Sequence, residues 1–132
     1  MTIEKLTRKW GRGKAALIVD DSPKIRKVIA EAFRDDGFET CAEAENGREG
    51  IEAAKQIHPD IIVLDLSMPV MNGLQAAPEL RKMYPRVPII LFTLYGNGLL
   101  ETEASKAGVT VVVTKTEPLQ ELLQRAHQLI GD

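Results

Sequence analysis

From Ala15 onward, apolar runs of four to six positions alternate with segments whose apolar residues recur every three or four positions. Residues 15–19, 61–64, 87–92 and 109–113 are apolar almost throughout, as strands buried on both faces require. Residues 38–44 form a weaker second strand between Gly37 and Asn46-Gly47. Between the runs, Ile25, Val28, Ile29, Ala32 and Phe33 fall at helical spacing after Ser22-Pro23, a cap followed by a first-turn proline. Ile51, Ala54 and Ile57 mark a second helix closed by His58-Pro59, and 77–84 a third, which Pro78 forces either to begin late or to bend. A short, poorly patterned fourth helix covers about 99–107. Leu119, Leu122, Leu123, Ala126 and Ile130 mark the fifth. The Ile51/Ala54/Ile57 and Leu119/Leu122/Ala126 stripes are core faces.

Five strands alternating strictly with five helices predict an α/β domain, a doubly wound parallel sheet with helices on both sides. In such sheets ligands gather beyond the carboxyl ends of the strands, and right-handed crossovers bring those ends to one rim. The polar residues that stop the apolar runs stand there. Asp20 and Asp21 follow the first strand, Asp65 ends the third, Thr93 ends the fourth and Lys115 follows the fifth. Three acids, a hydroxyl and an ammonium, far apart in sequence, are expected in one pocket.

Three carboxylates within a few ångströms repel one another strongly, and one lysine cannot balance them. A hard divalent ion such as Mg²⁺, which takes carboxylate, carbonyl and water oxygens, resolves the conflict and leaves positions for phosphate. Thr93 and Lys115 suit the remaining oxygens of a phosphoryl group, and Asp65, at the centre, can act as nucleophile.

Length and charge narrow the class. The 132 residues fit one domain with a proper core. No apolar run approaches membrane-spanning length and no signal peptide opens the chain, which argues against membrane insertion. The single Cys41 precludes an internal disulfide, fits a reducing cytoplasm and is read as core filler. Residues 1–14 hold five cations against Glu4, a net of +4 within a chain of total −2, so an acidic body of −6 carries a basic leader that also contains Trp10. The leader is expected to be a solvated tail. Gly11-Arg12-Gly13-Lys14 precedes the first strand and lacks the Ser or Thr of a phosphate loop. His58 and His127 are expected at the surface, with no partner at telling spacing.

The segments "LIVDDSPKIRKVI", "PDIIVLDLSMPVMNGLQA", "PIILFT" and "VVVTK" resemble the receiver domain of two-component response regulators, from about Lys14 to the C-terminus. The resemblance implies a flavodoxin-like fold with strand order 2-1-3-4-5. With the basic leader it divides the chain into an extension at 1–13 and a receiver domain at 14–132 with no output domain, the stand-alone type, which an excised fragment of a longer regulator would equally resemble. It implies Asp65 as phosphoacceptor, taking phosphate from a histidine kinase or phosphotransfer protein. Asp21, Asp65 and the Ser67 backbone carbonyl would ligate Mg²⁺, Asp20 would hold a metal-bound water, and Thr93 and Lys115 would contact the phosphoryl oxygens. Met68-Pro69 and Gly73 match the loop that shapes the site, and Ser67 and Tyr95 occupy positions that influence phosphoryl loss. The expected product is a cytoplasmic phosphoprotein switch, a monomer or weak dimer that is no enzyme beyond its own phosphorylation and dephosphorylation. It would signal through an unknown downstream protein, without DNA binding.

Four positions depart from the family's pattern. Val112 stands where an inward-turning aromatic is usual, Thr116 where a proline follows the lysine, bulky Leu94 where a small residue follows the hydroxyl, and Asn72 where Asp is frequent. Moving a two-state switch from 1:99 to 99:1 needs about 5.5 kcal/mol. Two or three charge-assisted hydrogen bonds at roughly 1.5–3 kcal/mol each reach that, so Thr93 and Lys115 alone could drive helix four and strand five. The alternative is a degenerate receiver that binds partners without phosphorylation. A haloacid-dehalogenase-type phosphatase would want an acid where Ser22 stands.

Overall fold

The computed structural model describes residues 13–94 and 96–131. The expectations for the basic leader, Trp10 and Tyr95 lie outside the described residues. Strands β1 (Ala15–Val19), β2 (Thr40–Ala44), β3 (Ile61–Leu64), β4 (Ile89–Thr93) and β5 (Val111–Thr114) alternate with helices α1 (Pro23–Asp35), α2 (Gly47–Ile57), α3 (Gly73–Met83), α4 (Gly98–Lys106) and α5 (Leu119–Ile130). All pairs are parallel, in the order β2-β1-β3-β4-β5. That is the doubly wound sheet expected from the alternation, in the flavodoxin-like order implied by the resemblance.

Side-chain alternation along the central strands splits the core in two. Leu17, Val19, Ile62, Leu64, Ile89 and Leu91 face α2, α3 and α4, packing with Ala54, Leu80 and Ala104. Ala16, Ile18, Ile61, Val63, Ile90 and Phe92 face α1 and α5, packing with Ile29, Phe33, Leu122 and Ala126. β2 lies at one edge, where Cys41 is half-buried against the α1/α5 core. Burial pushes its thiol pKa up, with the Arg34 charge opposing, consistent with filler.

The helix ends follow local chemistry. Ser22 caps α1 by accepting from the Ile25 N–H, and Pro23 opens the first turn. The third helix neither begins late nor waits for Pro78. It starts at Gly73, where Asn72 and Gln75 form a capping box, and runs through Pro78. An exposed proline there forfeits one hydrogen bond, which the cap and the burial of Ala76, Ala77 and Leu80 offset. His58 is exposed and closes α2 in a left-handed conformation. His127 differs from expectation: α5 packs on the end of α1, so its ring pairs with Asp36 and lies beside Phe38. No described helix is long and apolar enough to cross a membrane.

Candidate functional site

Three of the polar residues at the strand ends are each placed by a ladder hydrogen bond that continues past the strand. The Asp20 N–H donates to the Ala44 carbonyl (3.0 Å), the Asp65 N–H to Val19 (2.8 Å) and the Lys115 N–H to Thr93 (2.7 Å). Neighbouring strands thus carry Asp20 and Asp65 side by side, and Thr93 one strand over. Of the sequence-predicted residues, Asp21, Asp65, Ser67, Thr93 and Lys115 line one cleft together with Ile25 and Leu94, and Asp20 lies buried beside the other two acids.

Carboxylate oxygens of Asp20, Asp21 and Asp65 all lie within 4.8 Å of one another. Asp20 and Asp65 are buried, whereas Asp21 faces solvent. Lys115 Nζ bridges the two buried acids, 2.8 Å from Asp20 Oδ2 and 3.3 Å from Asp65 Oδ1. Burial is the largest influence on Asp65. Together with the Asp20 charge it outweighs Lys115 and the Leu66 N–H, and the Asp65 pKa is pushed up to about 6. Burial pulls the Lys115 pKa down, but bonds and charges from Asp20 and Asp65 overcome it and raise the pKa. A buried acid held above its ordinary range beside a second acid and a solvent-facing third is a site short of positive charge. A hard oxygen donor set of this kind fits Mg²⁺.

The β3–α3 loop closes one side. The Gly73 N–H donates to the Leu66 carbonyl (3.0 Å), and a Cβ at Gly73 would collide with the Asp65 carbonyl oxygen. Only glycine lets α3 begin so close to the central acid. Val70, exposed in the same loop, adopts φ +67° in a tight turn where Met71 N–H meets the Pro69 carbonyl at 2.6 Å. Leu94 is 56% exposed at the mouth, so its bulk overhangs the cleft rather than filling it. Val112 is half-buried against the α2/α3/α4 core.

Two residues were not anticipated. Arg26, on α1, donates from Nη1 to the Asp20 carbonyl at 2.6 Å and pairs through Nε with Glu43 at 3.4 Å. Arg81 fastens the end of α3 to the α4–β5 turn, donating to the carbonyls of Gly108, Tyr84, Pro85 and Val87. Neither has a motif to announce it. The "DDSPKIR" segment puts Arg26 within one helical turn of the acids, the only available signal.

Residues 16–127 match the response regulator receiver domain family. The chain is 39% identical over 103 residues to the chemotaxis protein CheY of Thermotoga maritima, spanning 78% of this chain and 86% of that one. It is 40% identical over 116 residues to the regulatory protein AtoC of Escherichia coli, 86% of this chain but 25% of that protein. Among solved structures it resembles CheY4 of Vibrio cholerae, with TM-score 0.83, 28% identity, and coverage of 89% and 98% of the two chains. It also resembles the structure of a CheX–CheY–BeF3–Mg complex from Borrelia burgdorferi (TM-score 0.82, 25% identity, 88% of each chain).

Proposed function

The chain belongs to the response regulator receiver family, and from that premise we propose that Asp65 is its phosphoacceptor in two-component signalling. The observation that carries this is the Asp20–Asp21–Asp65 cluster with Lys115 bridging its two buried members. An Asp65 oxygen forms a bond to phosphorus as the P–N bond of a phosphohistidine donor breaks, the electron pair leaving with the imidazole. With its pKa at about 6, Asp65 is mostly ionised and nucleophilic at neutral pH. Asp21, Asp65 and the Ser67 carbonyl would hold Mg²⁺, with Asp20 on a bound water. When bound, Mg²⁺ would neutralise the acids and the phosphoryl oxygens. Thr93 and Lys115 then hold phosphoryl oxygens at the ends of β4 and β5, which is how the state of Asp65 reaches α4 and β5.

In this proposal the receiver occupies 14–132 behind a basic extension at 1–13, takes phosphate from a histidine kinase or phosphotransfer protein, and acts in the cytoplasm as a monomer or weak dimer. Its effect passes to a downstream protein, and its chemistry is on its own Asp65. The relative solved with BeF3 and Mg supports the choice of probe.

The test is an amide NMR titration with Mg²⁺ and then beryllofluoride, on wild type and Asp65→Asn. The expected result is a wild-type response at Asp21, Asp65, Thr93 and Lys115 that extends along α4 and β5 and is missing in Asp65→Asn. Failure of both ligands to bind would favour the phosphorylation-independent module, to which overhanging Leu94 and the non-aromatic Val112 already lend some support.

A further inference from the structure

Every polar atom of Asp20 is held. Its N–H goes to Ala44 and its Oδ1 takes the Ser22 N–H (2.9 Å). Its Oδ2 takes Lys115, and its carbonyl takes Arg26 Nη1 at 2.6 Å. That carbonyl belongs to the peptide joining the two acids, at the point where β1 ends and the chain turns into α1. Arg26 reaches it because a side chain in the first turns of a helix leans toward the helix N-terminus. Its other edge is anchored: Nε lies 3.4 Å from Glu43 Oε1 on edge strand β2, and only 14% of the Arg26 side chain is exposed. A helix and an edge strand together therefore clamp the peptide plane that aims Asp21.

We propose that Arg26, backed by Glu43, is a positioning residue that sets the divalent-cation affinity of the acid cluster; this rests on the metal-site reading above. As a bare charge, an arginine beside three acids opposes the arrival of a second cation. As a clamp, it holds Asp20 and Asp21 where their oxygens converge, so that little ordering remains when the ion binds. The two roles predict opposite signs for removal of the guanidinium.

The full chain and its variants Arg26→Gln, Arg26→Lys and Glu43→Gln are titrated with Mg²⁺, read by the amide shifts of Asp21 and Asp65. Thermal unfolding in chelator serves as the fold control. Arg26→Gln is expected to weaken Mg²⁺ binding about tenfold, as the loss of a supporting partner to metal ligands does. Arg26→Lys restores part of this, because an ammonium can reach the carbonyl but cannot also hold Glu43. Glu43→Gln weakens binding less than Arg26→Gln does. Without metal, the Ser22 N–H exchanges faster in Arg26→Gln. Unchanged or tighter Mg²⁺ binding by folded Arg26→Gln overturns the proposal; if that variant fails to fold, unchanged affinity in Glu43→Gln does so. Wild type that binds no Mg²⁺ overturns the metal-site reading instead, and the Ser22 exchange rate still decides whether Arg26 positions the turn.

Discussion

Lys115 lies closer to Asp20 than to Asp65, with its Nζ at 2.8 Å from the first and 3.3 Å from the second, and its side chain is only 11% exposed. Removing one partner of a buried ion pair leaves the other charge uncompensated. Lys115→Met is therefore expected to lose about 3 kcal/mol of stability at pH 8 in chelator. The loss is smaller at pH 5, where Asp65 carries a proton. Urea unfolding at the two pH values checks both the size and the difference.

Asp65 sets a pH dependence of definite sign. Its pKa is raised from 3.8 to about 6 in the folded chain. Its contribution is thus fully present below pH 3.8 and is lost as pH rises through about 6. A shift of that size corresponds to about 3 kcal/mol. Asp65→Asn should match wild type near pH 4 and become about 3 kcal/mol more stable by pH 8, in chelator. Denaturant unfolding of both proteins across that range gives the difference curve, and saturating Mg²⁺ should shrink it.

Gly73 is bounded by the Asp65 carbonyl on one side and by Leu91 Cδ1 at 3.0 Å from a Cβ position on the other. Gly73→Ala should cost about 2 kcal/mol or more, because rigid backbone rather than a side-chain tip must move. The displaced group is the backbone of Asp65, so Mg²⁺ affinity should fall with stability. A calorimetric titration together with a melting curve tests the pairing of the two losses.

Val70 is 77% exposed yet sits at φ +67°, a conformation that costs a β-branched residue roughly 1–2 kcal/mol. Val70→Gly removes that strain and forfeits no packing. A gain of about 1 kcal/mol is expected after the entropy cost of glycine is subtracted, read from the urea midpoint.

Arg81 donates to four backbone carbonyls, at distances between 2.7 and 3.1 Å, and to Thr110 Oγ1 at 3.3 Å. Burial lowers its pKa, so the guanidinium has given up water for those carbonyls. Arg81→Met should cost about 2–4 kcal/mol, since several carbonyls lose a charged donor at once. Arg81→Lys should recover less than half, because a single ammonium cannot span the fork. Hydrogen exchange at Gly108 and Val109 should rise most.

The sheet and its rim were legible because burial on both faces demands unbroken apolar runs, and the residues that end them have few reasons to be acids. Asp20, Asp21 and Asp65 stood out for that reason, and Thr93 and Lys115 because they fall at the ends of the next two strands. The start of α3 was less legible. The apolar pattern and Pro78 pointed to a start near residue 77, a reading that leaves out the Asn72–Gln75 capping box that starts the helix at Gly73. Arg26, Arg81 and the His127–Asp36 pair were invisible for another reason. Their partners are backbone carbonyls or residues as much as 91 positions away, and no local period records such contacts.

The Lys115–Asp20 bridge joins residues 95 positions apart, and Asp65 is set beside Asp20 by the β1–β3 pairing. Parallel strands pair late, after the loops between them have closed. An unfolded or half-assembled chain therefore holds scattered acids and nothing that can chelate. Any cation or phosphoryl analogue that occupies the cleft acts as a chaperone by mass action, adding about 2.7 kcal/mol at a hundred times its Kd. The abundance of the protein in a cell would then follow the supply of that ligand as well as the rate of its synthesis.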